Sequence, residues 1–373
     1  MEPSLRAIID SYDPRAPLER ASTIPSSWYT DARVFELERR TVFARSWLVA
    51  GRIDQVERPG QFLSCHLPAG EPVVVVRGQD GRLRAFFNVC RHHAAEVVTA
   101  AEGTAQVLRC PYHGWTYGLD GRLKGTPDFA GVCDFDPLQH GLVPLDVGVW
   151  EKWVFVRVER GGPELEASLG DDLRRRVAAL DLTDLHWAER RSYMVACNWK
   201  VYVDNYLDGG YHVPHLHRGL GSVLDYSRYT IEAGDRFCVQ QSPISREGGD
   251  ERTSAVRTGD RAFYLWVYPN FMINRYAGAM DTNLVVPCGL DRTEVVFDYY
   301  FADLSEAARA RNEASIAVSE QIQREDEGVC ASVQRGLASR AYTAGRLSVR
   351  REAGEQLFHR LLHADLSAGL ESY

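Results

Sequence analysis

Two short cysteine–histidine segments constrain the fold of this chain more than any other feature. The first is Cys90-Arg91-His92, and after seventeen intervening residues comes Cys110-Pro111-Tyr112-His113. Each segment offers one thiolate and one imidazole from a tight loop. Both loops can serve a single metal group only if the fold brings them to the same point, as the tips of neighbouring hairpins would. The pattern therefore predicts a small β-structure built around these loops.

The mixed composition of each loop favours an iron–sulfur cluster over zinc. Zinc sites usually pair Cys with Cys and His with His at short spacing. In a Rieske [2Fe–2S] centre, two Cys hold one iron and two His hold the other. A zinc site, or four residues that merely share hairpin loops, are the alternatives. The neighbouring Tyr112 and Trp115 are expected to shield a cluster from water.

Strand-like segments surround these loops. They occupy residues 61–67, 71–77 and 83–89, and a Gly-Gln-Asp-Gly turn joins the last two. Such runs separated by turn residues are typical of hairpins. They predict a small all-β domain over residues 45–157. A helical segment over residues 1–44 is expected to pack on a catalytic domain formed by residues 158–373.

A second constellation lies in residues 198–217, which contain three histidines and two aspartates among large apolar side chains. Two His and one carboxylate form the facial triad that holds non-haem Fe(II) and leaves positions open for O2. On an ideal helix His212 and His215 share a face, and His217 does not. Pro214 disfavours the helical conformation of the residue before it, which would let His217 swing back towards His212. The residues alone leave both pairings open.

The two loops, C-R-H-H…C-P-Y-H-G-W, resemble the Rieske domain of the ring-hydroxylating oxygenase α-subunits. The resemblance implies an α+β fold, in which the small all-β Rieske domain is inserted before a helix-grip-like catalytic domain with an antiparallel sheet and mononuclear iron. One departure is His93-Ala94, where these proteins commonly carry Arg-Gly. In such a family the cluster ligands are Cys90, His92, Cys110 and His113.

The same resemblance implies a set of iron ligands. The family carries H-x4-H, which corresponds to His212 and His217 and leaves His215 beside the metal site or in the pocket. Its third ligand is an Asp in an E-D context followed by V-Q-x-G, which corresponds to Asp326. Without the resemblance, residues 325–327 would read as a solvated acidic face.

The resemblance also implies a bridging acid and a homotrimer. In the family, a trimer brings the Rieske centre of one subunit next to the iron of its neighbour, and an acid bridges a histidine of each. Asp208 lies one helical turn before His212 and can contact its imidazole, whereas Asp204 lies two turns away. Many relatives place the acid three residues before the histidine rather than four. Asp208 and Asn205 are the predicted catalytic residues, with Asp204 as the alternative bridge.

The likeness is closest to choline monooxygenase and its relatives that act on quaternary ammonium compounds. C-N-W-K-V-Y-V-D-N-Y-L-D-G-G-Y-H-V-P and Y-P-N-F-M-I-N-R-Y carry it. It implies a monooxygenase, an oxidoreductase that uses O2 to hydroxylate a C–H bond of a small choline- or betaine-like substrate. A trimethylammonium group favours aromatic faces within about 6 Å. The predicted pocket residues are Tyr202, Tyr206, Tyr211, His215, Phe271 and Tyr276.

The small side chains of residues 277–279 leave room for a larger substrate. Hydroxylation or demethylation of a bulkier aromatic or natural-product metabolite by the same chemistry is therefore the alternative. A non-enzymatic alternative is a Rieske electron carrier or a zinc-binding module. A carrier needs only the β-domain, so the long region after it, with its H-x4-H, speaks against that interpretation.

Composition narrows the partners and the compartment. The net charge is −8 without a basic block, which argues against a nucleic-acid surface. Eight cysteines without an export signal favour reduced thiols and a cytoplasmic location, and no apolar run approaches the roughly 18 residues of a membrane span. The chain also lacks a glycine-rich dinucleotide fingerprint. Its electrons are expected from NAD(P)H through a separate reductase, with or without a ferredoxin.

Overall fold

The computed structural model describes residues 3–68, 70–245 and 249–371. The chain divides into two compact units. The small unit is Phe43–Gly170, and the large unit is Met1–Val42 with Asp171–Tyr373. In the described ranges, no helix combines the length and the apolar composition that crossing a bilayer would need.

The small unit is almost entirely β-structure. Seven strands form an antiparallel sheet in the order β1-β10-β9-β4-β3-β2-β5, and β6-β7-β8 form a second sheet. The four central valines of β3 are fully buried, as expected of a strand covered on both faces. The strands are β1 Leu48–Arg52, β2 Gln61–His66, β3 Pro72–Arg77, β4 Leu83–Phe87, β5 Glu102–Thr104, β6 Leu108–Arg109, β7 Thr116–Tyr117, β8 Leu123–Gly125, β9 Pro144–Trp150 and β10 Trp153–Arg157.

The large unit is built on one seven-stranded antiparallel sheet in the order β11-β17-β16-β15-β14-β13-β12. Its strands are β11 His186–Val195, β12 Thr230–Ala233, β13 Phe237–Pro243, β14 Arg261–Val267, β15 Phe271–Tyr276, β16 Ala279–Gly289 and β17 Arg292–Phe301. The register aligns Gln240, Tyr264, Asn274 and Asp281 directly opposite one another on four successive strands. Since side chains that pair directly across strands lie on one face, this polar row crosses the sheet.

Helices pack against this sheet and carry the histidine-rich stretch. The α-helices are α1 Leu5–Ile9, α2 Ser26–Thr30, α3 Ala32–Glu38, α4 Leu165–Ala178, α5 Trp199–Leu207, α6 Val213–Leu216, α7 Arg218–Val223, α8 Glu251–Val256, α9 Arg309–Leu337 and α10 Ala353–Glu371. Single 3-10 or π turns occupy Leu18–Arg20, Arg39–Phe43, Ile53–Val56, Pro137–Gln139 and Tyr226–Arg228. The α4 helix is interrupted at Gly170, where φ is +72°.

The long α9 helix buries a stripe in which residues follow one another at spacings of three and four. Such spacing keeps one helix face against the sheet and its neighbours. Unlike an ordinary apolar stripe, its middle is polar. The stripe consists of Ile316, Ser319, Gln323, Asp326 and Cys330, all of which are buried. The polar middle must find partners inside the protein, because a buried polar group without one is costly.

A fully buried ion pair joins α3 to α5. The Nζ atom of Lys200 lies 2.6 Å from Oε1 of Glu38, and neither side chain is exposed. The indole of Trp199 donates a hydrogen bond to the other oxygen of Glu38 at 2.8 Å. Burial lowers the pKa of Lys200 and raises the pKa of Glu38, and each charge opposes the shift of the other. The pair stabilises the fold only while both partners are present.

Replacing Lys200 with Met should therefore lower the free energy of unfolding by about 3–5 kcal/mol, since Glu38 is left buried without its cation. The double variant Lys200→Met/Glu38→Leu should lose less than this single variant. Arg175→Met is the matched control, because its 2.6 Å pair with Asp172 lies at the surface, and we expect little change. Urea unfolding followed by circular dichroism measures all three. A double variant less stable than Lys200→Met would refute the argument.

Candidate functional site

The two cysteine–histidine loops of the small unit have the same backbone geometry. The carbonyls of Cys90 and Cys110 accept hydrogen bonds from the N–H groups of Ala94 and Gly114, four residues later. The N–H group of each cysteine donates to a carbonyl five residues later. Both Ala94 and Gly114 have positive φ, +59° and +74°. The repeated turn presents the two cysteines in the same way, while His92 follows its cysteine by two residues and His113 follows its cysteine by three.

The loops bring two thiols and two imidazoles together. Cys90 and Cys110 are buried, while the rings of His92 and His113 lie nearer the surface with their centroids 4.8 Å apart. Burial raises the pKa of the Cys110 thiol and the adjacent Cys90 raises it further, but backbone N–H groups of Tyr112 and His113 oppose this. N–H groups directed at a sulfur are a feature of iron–sulfur sites.

The surroundings of the loops suit a bound cluster. The Nδ1 atom of His92 is buried and has no hydrogen-bond partner, as expected of an atom reserved for a metal. Trp115 stacks on the ring of His92 with centroids 4.7 Å apart, but Tyr112 is 64% exposed. Tyr117 was not predicted to belong to this site, but its hydroxyl lies 3.3 Å from Sγ of Cys90 and accepts the N–H of Arg91. Tyr117 thus covers the cluster site from the interior, where Tyr112 does not.

The large unit brings His212, His217 and Asp326 to one point. Their nearest ligand atoms all lie within 4.8 Å of one another. The Oδ1 atom of Asp326 is 3.1 Å from Nε2 of His217 and 3.9 Å from Nε2 of His212. Despite its short distance to Asp326, the buried Nε2 of His217 has no hydrogen-bond partner among the residues that the structure describes. Two imidazole nitrogens and a carboxylate oxygen converging in this way fit a divalent metal such as Fe(II).

Carboxylates set the direction of both imidazoles. Nδ1 of His212 lies 2.6 Å from Asp208, and Nδ1 of His217 lies 2.6 Å from Glu325. An ionised carboxylate only accepts, so each Nδ1 is the donor, and in the neutral imidazole each Nε2 keeps a lone pair with which it can bind a metal. Burial lowers the pKa of His217, but Asp326 and Glu325 outweigh it and the pKa is raised. Glu325 was missed by the sequence analysis, although it adjoins Asp326.

A two-glycine turn explains how Asp208 reaches His212. The α5 helix ends at Leu207, and Asp208 accepts N–H hydrogen bonds from Tyr211 and His212. Gly209 and Gly210 both have φ of +68°. A Cβ atom on Gly209 would lie 2.1 Å from the carbonyl oxygen of Arg351, so only glycine fits. The extra glycine therefore lengthens the turn by one residue, and Asp208 still contacts His212.

The remaining predicted residues of this stretch take different places. The side-chain N–H of Asn205 donates to Oδ1 of Asp326 at 2.8 Å. Asp204 turns to the interior, where it accepts a hydrogen bond from Tyr29 at 2.5 Å and lies 3.0 Å from Nε2 of His359. His215 is exposed. The structure thus groups His212 with His217 rather than with His215, and Asp208 rather than Asp204 with the metal site.

A cavity of about 100 Å³ opens onto the three converging ligands. Tyr202, Tyr206 and Tyr276 line it, whereas Tyr211 is half exposed and Phe271 lies elsewhere in the core. The polar row of the sheet and the polar middle of α9 both face it. Lining residues that the sequence analysis did not single out include Gln240, Arg257, Tyr229, Tyr264, Asp281, Asn283, Ser319 and Gln323.

Comparisons with known proteins agree on the class of this chain. Residues 46–136 match the Rieske [2Fe-2S] domain, and residues 182–368 match the ring hydroxylating alpha subunit (catalytic domain). Chloroplastic choline monooxygenase of Arabidopsis thaliana is 40% identical, over 96% of this chain and 86% of its own length. The carnitine monooxygenase oxygenase subunit of Escherichia coli (strain K12) is 30% identical, over 92% of this chain and 94% of the relative.

A solved structure is also similar. The quaternary ammonium Rieske monooxygenase CntA in complex with L-carnitine superposes with a TM-score of 0.81 at 29% identity, covering 93% of this chain and 96% of that one. The predicted fold class, with a Rieske domain before an antiparallel-sheet catalytic domain, is confirmed, and so is the resemblance on which it rested. The cofactors of this class are a Rieske cluster and a mononuclear iron.

The ligand assignment predicts different iron contents for two neighbouring histidine variants. His217→Ala removes a buried nitrogen that faces Asp326, so the variant should lose its labile ferrous iron. His215→Ala changes an exposed side chain and should keep about one labile iron per chain. Both should retain the visible Rieske spectrum, which reports a site in the other unit. Ferrous-iron analysis after anaerobic desalting checks this. Iron loss in His215→Ala but not in His217→Ala would contradict the assignment.

Proposed function

Because the chain belongs to the ring-hydroxylating, Rieske-type oxygenase α-subunits, we propose that it is the terminal oxygenase component of a monooxygenase that hydroxylates a C–H bond of a quaternary ammonium compound. The observation that carries this proposal is a tyrosine-walled cavity that ends at the metal site. When bound, the Rieske cluster supplies single electrons and the Fe(II) activates O2. The residues of this chain supply binding, orientation and exclusion of water.

Five tyrosines give the cavity the walls that a trimethylammonium group favours. A quaternary ammonium ion cannot donate hydrogen bonds, so its recognition depends on ring faces and negative charge. Burial raises the pKa of all five, which keeps the phenols neutral at physiological pH. The five are Tyr202, Tyr206, Tyr229, Tyr264 and Tyr276.

Hydrogen bonds fix these rings in place. The hydroxyl of Tyr202 donates to Gln323 at 2.6 Å, and that of Tyr206 donates to Asn274 at 2.8 Å. The hydroxyls of Tyr264 and Tyr276 lie 2.7 Å apart. Hydroxyls that are already satisfied by the protein leave the ring faces as the main contact surface for a ligand. Preorganised aromatic walls of this kind favour binding because little side-chain freedom is lost.

A carboxylate opposes the charge of the bound cation. Asp281 lines the cavity, is 5% exposed, and accepts hydrogen bonds from Asn274 and Asn283. Burial raises its pKa, and the positive charge of Arg257 is the largest influence that opposes this. A cation bound near Asp281 would favour its ionised form. Aromatic faces with one buried acid are thus the basis for proposing a cationic substrate.

Asp208 is the proposed route for the electron. One of its oxygens accepts from Nδ1 of His212, and its side chain remains 15% exposed. In a homotrimer this exposed edge would meet a Rieske histidine of a neighbouring copy, and the carboxylate would accept an N–H from each imidazole. The electrons would come from a separate NAD(P)H-dependent reductase. A cytoplasmic location stays a prediction.

Turnover with matched ligands tests the substrate class. Iron-loaded protein, supplied with a reductase, NAD(P)H and 18O2, should insert one 18O atom into a trimethylammonium compound. Hydroxylation at a carbon that bears OH gives an aldehyde hydrate, and hydroxylation at an N-methyl group releases formaldehyde. The neutral tert-butyl isostere should bind roughly tenfold or more weakly, because it lacks the charge. Mass spectrometry and oxygen uptake provide the readout. Equal binding and turnover of the two ligands would overturn the proposal, and His217→Ala should be inactive.

The electron route predicts a kinetic difference between two aspartate variants. Asp208→Asn removes the charge and one accepting oxygen, so the reduced cluster should stay reduced when substrate and O2 are added. Asp204→Asn alters the interior contact with Tyr29 and His359, so it should still reoxidise rapidly. Stopped-flow spectroscopy of the pre-reduced proteins measures both. If Asp208→Asn reoxidises rapidly and forms product normally while Asp204→Asn does not, the bridging acid is Asp204.

A further inference from the structure

A buried arginine in the cavity is held by serines rather than by an acid. Arg257 lines the cavity and is 3% exposed. Among the described residues, the hydrogen bonds of its guanidinium go to Ser315 and Ser319, and no carboxylate lies within ion-pair distance of it. Removing a guanidinium from water without a direct counter-charge is costly. Such a cation needs either a structural reason or a ligand that supplies the negative charge.

Neutral groups hold the guanidinium in place. Its Nη1 atom donates to the hydroxyl of Ser315 at 2.8 Å, and Nη2 donates to the hydroxyl of Ser319 at 2.6 Å. The guanidinium carbon lies 4.5 Å from the ring centroid of Tyr276. The Nε atom is buried and has no hydrogen-bond partner in the described part of the chain. The protein therefore occupies only some of the five N–H donors of the guanidinium with hydrogen bonds. These bonds also fix the orientation of the guanidinium.

Ser319 places this cation close to the anion of the cavity. It accepts from Arg257, and it also lies close enough to Asp281 to be one of the groups that lower the pKa of that carboxyl. The cavity thus contains one fixed positive and one fixed negative group, separated by a serine. Tyr276 touches the positive group and pairs with Tyr264 on the aromatic wall. A ligand that spans this region meets both charges.

We infer that the cavity binds a zwitterion, a betaine that carries a carboxylate as well as the quaternary ammonium group, and that Arg257 is the specificity-determining residue for that carboxylate. The inference rests on the proposed function, because the ammonium end is assigned to the tyrosines and Asp281. The carboxylate would accept from the N–H groups of Arg257 that the protein leaves free. This charge-assisted pairing is stronger than a neutral hydrogen bond.

The arrangement disfavours a substrate that has only the positive charge. A choline-like alcohol would leave Arg257 without its anion and would add a second cation to the same cavity. Like charges in a low-dielectric cavity repel strongly, so binding energy would be lost relative to a betaine of equal length. A betaine with a free carboxylate is therefore expected to bind more tightly than a derivative that keeps the ammonium charge but has lost the negative charge.

Matched ligands test this without altering the protein. The probes are γ-trimethylaminobutyrate and its methyl ester, which keep the ammonium group and the chain length while removing the negative charge. Calorimetric titration of the intact protein should show the acid binding roughly tenfold or more tightly than the ester. Equal affinities for the acid and the ester would overturn the inference while leaving the proposed function intact. No binding of either, together with no binding of choline, would refute the proposed function itself.

A protein-side comparison separates recognition from folding. Arg257→Gln should abolish the preference for the acid and leave the affinity for the ester within a few-fold, whereas Arg257→Lys should retain part of the preference. Arg275→Gln is the matched control, since Arg275 lies on β15 beside Tyr276 but does not line this cavity. A parallel loss of acid and ester binding in Arg257→Gln, with the control unchanged, would mean that Arg257 is only structural. Melting temperatures show whether each variant folds. If Arg257→Gln does not fold, the acid-to-ester preference of Arg257→Lys tests the inference instead.

Discussion

Everything at the mononuclear site depends on two carboxylates that bind the far side of the ligand imidazoles. The bonds from His212 to Asp208 and from His217 to Glu325 fix the tautomer of each ring and point both Nε2 atoms at Asp326. A histidine without this support would rotate freely about χ2 and would lose much of its preorganisation for a metal. The two-glycine turn exists to deliver one of these acids. Its backbone conformation is therefore as much a part of the site as the ligands.

The cavity results from two polar surfaces facing each other inside an apolar unit. One is the row that crosses four strands, and the other is the middle of the stripe on α9. Contacts between Tyr202 and Gln323, and between Asn205 and Asp326, tie α5 to that stripe. Buried polar groups must be paired, and here the protein pairs most of them while leaving a few for ligands. Among the described residues, the buried polar atoms that lack a hydrogen-bond partner include Nε2 of His217 and Nε of Arg257, which lie at the proposed metal and carboxylate positions.

The sequence predicted the parts of this arrangement that are local. Both cluster loops lie within short segments, where spacing carries the information. The residues around Pro214 left the pairings of His212 with His215 and with His217 both open, and the family resemblance decided between them. Asp326 also required the resemblance, because an acid among acids on a helix has no distinguishing spacing. The turn of the first cluster loop was harder to predict, because His93-Ala94 stands where the family commonly has Arg-Gly. The structure shows that Ala94 adopts φ of +59°, the conformation for which glycine is preferred, so the departure costs strain without changing the loop.

The residues that line the cavity could be predicted from the sequence only in part, and strand geometry explains why. Phe271 and Tyr276 are both on β15 but five positions apart, so they lie on opposite faces and could not both reach one cavity. Their odd spacing could have been read from the sequence, and it would have excluded one of the two from the cavity. Tyr264, Asp281 and Arg257 carried no such signal, because their meeting depends on the register of strands and on the packing of α9. In this chain the cluster loops and two of the three converging metal-site residues lie in local motifs, whereas Asp326 and the cavity wall are brought in by tertiary contacts. Sequence motifs therefore predict the chemistry of such a chain more readily than the molecule on which it acts.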